Sequence, residues 1–347
     1  MRIANINQFH FYYLVLISLT LHACVAVESQ TIHSSEKHKG VCWVAGREEI
    51  TQKEIDALLD CHINWISQTP FGWQRDASSS FIGTNFLSDR IWWGESDTGI
   101  SVTTALANKS GIRTLLKPHL WVRNGWPGDI EMKSDTAWLS WFSNYEAFII
   151  HYAELAEQNK IDVFCIGTEL QKTTTHEKEW RSLITKIRSR YSGKLIYAAN
   201  FHEEFEHINF WDALDYIGIQ AYFSLADKRD ASLDELVKNW KPHLFSIERV
   251  QRKYNKPVMF TEIGYRSDAH AAIEPWTWPR DMKEVPSTEE VQALCYQAFF
   301  KAAWNKNWLV GVYFWKWYPH GARRPEQSDF TPQGKPAERI IKENFAK

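Results

Sequence analysis

Two glutamates stand at the ends of apolar, strand-like runs. Glu169 closes Ile161-Asp162-Val163-Phe164-Cys165-Ile166-Gly167-Thr168-Glu169, and Glu262 closes Pro257-Val258-Met259-Phe260-Thr261-Glu262. Both runs are short, rich in β-branched and aromatic residues, and bounded by Gly or Pro, as strands of a parallel sheet covered on both faces are. A lone glutamate in such a place is more often solvated or paired with a lysine. Two in matching contexts can share the work of glycoside cleavage, where one carboxyl protonates the leaving oxygen and the other stabilises or traps the cationic sugar carbon. No CxxC or HExxH spacing occurs, so neither a metal nor a cofactor is expected.

Such glutamates need a scaffold that brings strand ends together. From Gly40 onward, short apolar runs alternate with amphipathic segments, the rhythm of repeated βα units, and eight can be counted. The fold class expected is α/β, a single (β/α)8 TIM barrel over 40–347, with the strand C-terminal ends forming the active face. The strands fall at about Gly40–Ala45, Ile63–Thr69, Ile112–Pro118, the Glu169 run, Leu195–Ala199, Tyr216–Tyr222, the Glu262 run and Leu309–Lys316. Thr51 with Glu54, and Ser287 with Glu290, read as capping boxes opening helices. Leu233–Tyr254 reads as one or two helices interrupted near Pro242. Phe71-Gly72-Trp73 falls in a long loop after Pro70, and the Pro-rich Ile273–Pro279 segment puts Trp276 and Trp278 near the same rim.

Further candidates lie at the same face. Lys117 and His119 end the third strand, and Asn200 ends the fifth. Lys117 suits either a sugar hydroxyl or a barrel carboxylate, and His119 either a ligand or a structural partner. The chain has 18 tryptophans. Sugar C–H faces stack on indole rings, so Trp43, Trp73, Trp121, Trp276 and Trp278 are candidate subsite residues, with about half expected to serve in packing. Asp162 and Asp215 precede strands at the opposite face and read as structural.

A formal net charge of −2 gives no field for nucleic acid, and the partner expected is an oligo- or polysaccharide substrate, with the protein itself a monomer. Residues 1–24 carry Arg2, an apolar core from Phe11 to Leu21, and Ala23 before Cys24, the layout of an export signal too short to span a membrane. Leu21-His22-Ala23-Cys24 resembles a bacterial lipobox, so attachment to a membrane through a lipid on Cys24 stands beside ordinary cleavage nearby. Residues 25–39 read as a polar tether. Of five cysteines, Cys42, Cys61, Cys165 and Cys295 remain, and buried free thiols are the expected state.

The ordered motifs Leu116-Lys117-Pro118-His119, Ile166-Gly167-Thr168-Glu169-Leu170, Gln220-Ala221-Tyr222, Phe260-Thr261-Glu262-Ile263-Gly264-Tyr265 and Tyr313-Phe314-Trp315 resemble clan A of the glycoside hydrolases. Within the clan the chain is most similar to family 113, the β-mannanase-like group. The resemblance implies a retaining hydrolase of β-1,4-mannan or manno-oligosaccharides, with Glu169 as acid/base, Glu262 as nucleophile, Tyr222 bonded to the nucleophile and Trp315 under the cleaved sugar. Thr168 departs from the asparagine that many clan members place before the acid/base. Binding of the sugar 2-hydroxyl then falls to Lys117, His119 or Asn200. Two other readings remain: a clan A hydrolase of a different β-linked glycan, and a surface glycan-binding lipoprotein without turnover.

Overall fold

A computed structural model describes residues 36–84, 91–278, 285–321 and 328–347; the expected export signal, Cys24 and most of the tether lie outside them. The chain runs β1 (His38–Trp43), α1 (Gln52–Leu59), β2 (Trp65–Gln68), β3 (Phe71–Gln74), α2 (Asp97–Lys109) and β4 (Arg113–Leu116). Next come β5 (His119–Val122), α3 (Asp135–Gln158), β6 (Val163–Thr168), α4 (Glu177–Arg188), β7 (Lys194–Asn200), α5 (Glu204–His207) and β8 (Tyr216–Gln220). The last elements are α6 (Leu233–Tyr254), β9 (Val258–Ile263), α7 (Glu289–Phe299), β10 (Leu309–Trp317) and α8 (Pro336–Phe345).

Eight of the strands close a barrel in the order β1-β10-β9-β8-β7-β6-β4-β2, and every pairing is parallel. This is the expected (β/α)8 barrel. Every residue of β6 and of β9 is buried, which is why both read as unbroken apolar runs. One side-chain set, including Cys42, Leu115, Cys165, Ile196, Met259 and Tyr313, packs inside the wall. The larger core lies between strands and helices, where Trp141, Trp180 and Trp240 are fully buried. Cys42, Cys61, Cys165 and Cys295 are buried free thiols.

Local departures from the sequence reading have physical causes. β1 begins at His38, because Lys37 docks on the carbonyls of Trp304, Lys306 and Leu309 and the His38 ring stacks on Trp65 at 3.6 Å; the segment expected as tether thus gives its last residues to the barrel. The Thr51–Glu54 capping box forms. At the other site Thr288 is the N-cap, and Ser287 Oγ instead donates to the Ser267 carbonyl at 3.2 Å. α6 runs unbroken through Pro242, because that proline is on the solvent face while Leu236, Trp240, Leu244, Ile247 and Val250 bury the opposite stripe.

A fourth departure bears on function. β3 and β5 form a separate two-stranded parallel sheet instead of a loop. Each begins directly after a proline, Pro70 or Pro118, that ends the preceding barrel strand. The ladder continues across both breaks, with Lys117 N donating to Gln68 O at 2.8 Å and His119 N to Pro70 O at 2.8 Å.

Candidate active site

A cleft of about 810 Å³ opens at the C-terminal ends of the barrel strands, lined among others by His119, Trp126, Glu169, Asn200, Tyr222, Glu262 and Trp315. The volume lies in the range of small-ligand sites. Glu169 follows the last residue of β6, and Glu262 belongs to β9, so the fourth and seventh barrel strands each deliver one carboxyl.

Glu262 sits in a cationic and hydrogen-bonding cage. The Lys117 ammonium, fully buried, donates to Glu262 Oε1, and the Tyr222 hydroxyl donates to Oε2 at 2.6 Å. Lys117 Nζ also lies 3.3 Å from the Thr261 carbonyl and 3.5 Å from Gln220 Oε1. Burial alone would push the Glu262 carboxyl up, but the neighbouring Lys117 charge and the two hydrogen bonds outweigh it, and the group is held below the ordinary carboxylate value. His119 Nε2 is 3.6 Å from the same Oε1. Burial, reinforced by Lys117, pushes this imidazole down to about 3, so His119 is neutral at ordinary pH and the ammonium is the charge that holds Glu262 ionised.

Glu169 occupies a different environment. Its carboxyl is pushed up, first by burial and then by the charge of Glu262. Trp126 Nε1 donates to Oε2 at 3.1 Å and Asn200 Nδ2 to Oε1 at 2.7 Å, and both bonds moderate the rise without cancelling it. The Asn200 amide is oriented by its own oxygen, which accepts from His202 N at 2.8 Å. The backbone of Glu169 lies in the left-handed region at φ 51°, an uncommon state for a residue with a side chain. Two bonds fix it there: Glu169 N donates to Ala198 O at 2.9 Å and Leu170 N to the Tyr197 hydroxyl at 2.8 Å. Tyr197 in turn donates to buried Glu204 at 2.6 Å, and Glu204 also accepts from Asn200 N at 2.5 Å. Burial pushes the Glu204 carboxyl up to about 8.

Of the residues singled out from the sequence, Glu169, Glu262, His119, Asn200, Tyr222 and Trp315 line this cleft. Lys117 reaches it from beneath through Glu262. Trp43 departs from expectation: it is 4% exposed, belongs to the core and is not part of the lining, because an indole in a buried strand reads alike whichever way it points. Trp315 lies under the cleft, its ring 6.4 Å from that of His119 and nearly parallel to it, and its peptide to Lys316 is cis. Trp121, Trp276 and Trp278 are also in the lining. Sequence reasoning missed Trp126 as a partner of Glu169, and Gln220 as a partner of Lys117 and Thr261 beside Glu262. The Trp126-Pro127-Gly128-Asp129 turn after the third barrel strand was the available signal for Trp126.

The model of glycoside hydrolase family 113 matches residues 43–335. The chain belongs to that family. This family 113 protein superposes on the β-mannanase AaManA from Alicyclobacillus acidocaldarius, in complex with ManMIm, with a TM-score of 0.78 at 25% identity, covering 90% of this chain and 98% of that one. A family 113 β-1,4-mannanase solved as a complex gives 0.77 at 25% identity, covering 90% and 99%. A β-glucuronidase from Ruminococcus gnavus shares the fold, with a TM-score of 0.58 at 12% identity over 89% of this chain and 50% of its own. No curated protein matches the chain. As a member of family 113 the protein is a glycoside hydrolase, and its substrate is a carbohydrate.

Proposed function

We propose that this family 113 hydrolase cleaves β-1,4-mannan or manno-oligosaccharides with retention of configuration, using Glu262 as nucleophile and Glu169 as acid/base. The observation that carries the reading is the opposed tuning of the two carboxyls, Glu262 held down by Lys117 and Tyr222 and Glu169 pushed up by burial. The likeness to two family 113 β-mannanases supports the choice of mannan.

In the first step the ionised Glu262 Oε attacks the anomeric carbon while protonated Glu169 gives its proton to the glycosidic oxygen, whose bond to that carbon breaks. A glycosyl ester on Glu262 results. In the second step Glu169, now a carboxylate, takes a proton from water as the water oxygen displaces Glu262. Two inversions leave the β configuration. Lys117 and Tyr222 orient Glu262 and stabilise it as leaving group, Trp126 and Asn200 hold Glu169 toward the bond, and Trp315 forms the floor under the sugar.

Neutral His119 and Asn200, both in the cleft lining, would bind the sugar 2-hydroxyl in place of the asparagine that Thr168 replaces. Export, with a lipid on Cys24 or with cleavage near it, is part of the same proposal, since a polysaccharide is met outside the cell. It rests on the apolar Phe11–Leu21 run and on Leu21-His22-Ala23-Cys24. The test is hydrolysis of a panel of mannan, glucomannan, xylan and β-glucan by wild type and Glu262→Ala. Release of sugar from mannan by wild type alone is expected. Preference for a glycan without mannose would overturn the substrate.

A further inference from the structure

We infer that the small β3–β5 sheet is an extended glycan-binding surface, on which Trp121 and Trp73 seat sugars of the substrate chain beyond the two carboxyls, on the Glu262 side. The inference deepens the proposed function and rests on it for the direction of the chain. The two strands alternate strictly. Gly72, Gln74, Leu120 and Val122 are buried, whereas Phe71, Trp73, His119 and Trp121 face outward. The buried face is fixed on α3: a Cβ at Gly72 would stand 2.7 Å from the Phe148 ring, and Gln74 Oε1 accepts from Trp141 Nε1 at 3.1 Å.

The free face of a half-covered sheet is ordinarily polar. Here it is a row of rings. His119 and Phe71 have centroids 5.2 Å apart, Phe71 and Trp121 6.4 Å, Phe71 and Trp73 6.4 Å, and Trp121 and Trp73 6.1 Å, so the row is two rings wide, with Trp73 level with Trp121 on the neighbouring strand. The row starts beside Glu262, since His119 Nε2 is 3.6 Å from its Oε1, and it leads outward from there. His119, Phe71 and Trp121 already line the cleft, and Trp73, 43% exposed, extends the row one ring past that lining.

That continuity names the occupant. A chain whose reacting sugar lies over Trp315 would bring its next units onto the row, and aromatic faces suit the C–H faces of pyranose rings. Arg123, which directly follows β5 and is also in the lining, offers donors for their hydroxyls. In the proposed function the leaving group departs on the Glu169 side, and the rings start instead at Glu262, so they serve the non-reducing side. Because the rings sit on a hydrogen-bonded sheet backed by a helix, binding would require little ordering of the protein.

The test uses β-1,4-manno-oligosaccharides of increasing length, labelled at the reducing end, with wild type, Trp73→Ala and Trp73→Phe. In Trp73→Ala the ratio of kcat/KM for long over short substrates should fall about tenfold, mainly through KM, and cleavage should move toward the non-reducing end. Trp73→Phe should keep part of the ratio, and both variants should melt near wild type because the indole lies on the exposed face of the sheet, outside the core. An unchanged ratio, or a loss confined to the reducing-end side, would overturn the inference. Affinity electrophoresis in gels holding mannan, glucomannan or xylan reads the surface apart from turnover. Less retardation of Trp73→Ala than of wild type in any of these gels supports it, and equal mobility in all overturns it. A wild type that is retarded yet hydrolyses none of these glycans would overturn the proposed function and leave the binding surface standing.

Discussion

Lys117 and Glu262 meet across the barrel, the ammonium from the end of the third barrel strand and the carboxylate from the seventh, separated by 145 positions in sequence. Both are almost wholly withdrawn from water, so each is the main compensation for the other's charge. This pairing sets the acid side of the expected pH profile. In the proposed mechanism Glu262 must be ionised to attack, and its carboxyl is held below its ordinary 4.5, so activity should persist on the acid side of the usual carboxylate range and fail only as pH drops through that lowered value. Glu169 must be protonated, and its carboxyl is raised above 4.5, so activity should fall again as pH climbs through it. Lys117→Met should move the acid limb up by about one to three pH units, because burial is then unopposed by the neighbouring charge. An acid limb that stayed in place, read as log kcat/KM against pH, would sink this role for Lys117.

Trp126 acts on the other limb. Its indole N–H donates to the Glu169 carboxyl and favours the ionised form. Trp126→Phe should therefore move the alkaline limb up by about one unit, and should slow the second step, in which Glu169 must accept a proton. Movement to lower pH would show that the bond favours the protonated form instead.

Stereochemistry gives a third expectation. A pair working by double displacement has carboxyl groups about 5 to 5.5 Å apart, whereas an inverting pair leaves room for water at about 6.5 to 9.5 Å. Proton NMR of the first product released from an oligosaccharide should show the β anomer before mutarotation. Initial release of the α anomer would exclude the glycosyl ester on Glu262.

Rescue chemistry separates the two glutamates. Glu169→Ala should retain activity on substrates with activated leaving groups, accumulate the ester, and turn over faster with azide to give a β-glycosyl azide. Glu262→Ala should gain nothing from an activated leaving group alone, and any azide product should be α. The reverse pattern would exchange the two roles.

The barrel and the strand-end glutamates were legible because a run buried on both faces is apolar until it stops, and in β6 and β9 it stops at or just before a carboxylate. Lys117 and Asn200 followed from strand-end position, and Tyr222 from the resemblance to family 113. The small sheet was not legible, because Pro70 and Pro118 read as stops and only the register Phe71↔His119 shows that each strand resumes beside its neighbour. The bond from Trp126 to Glu169 depends on how a turn folds back over the cleft, which no spacing encodes. Trp43 shows the converse, since composition cannot tell an indole facing the helices from one facing the substrate.

The left-handed backbone of Glu169 carries a consequence for tolerance to mutation. An L-residue in that region costs about 1 to 2 kcal/mol relative to the right-handed state, while glycine is nearly indifferent. Residue 169 is therefore a position where the chemistry opposes the fold, held by its bonds to Ala198 and Tyr197. Glu169→Gly should unfold at a higher temperature than Glu169→Ala, by about 1 kcal/mol of stability after allowing for glycine's freer unfolded chain. Selection for thermal stability alone would drift toward glycine, and under the proposed mechanism that drift would abolish turnover.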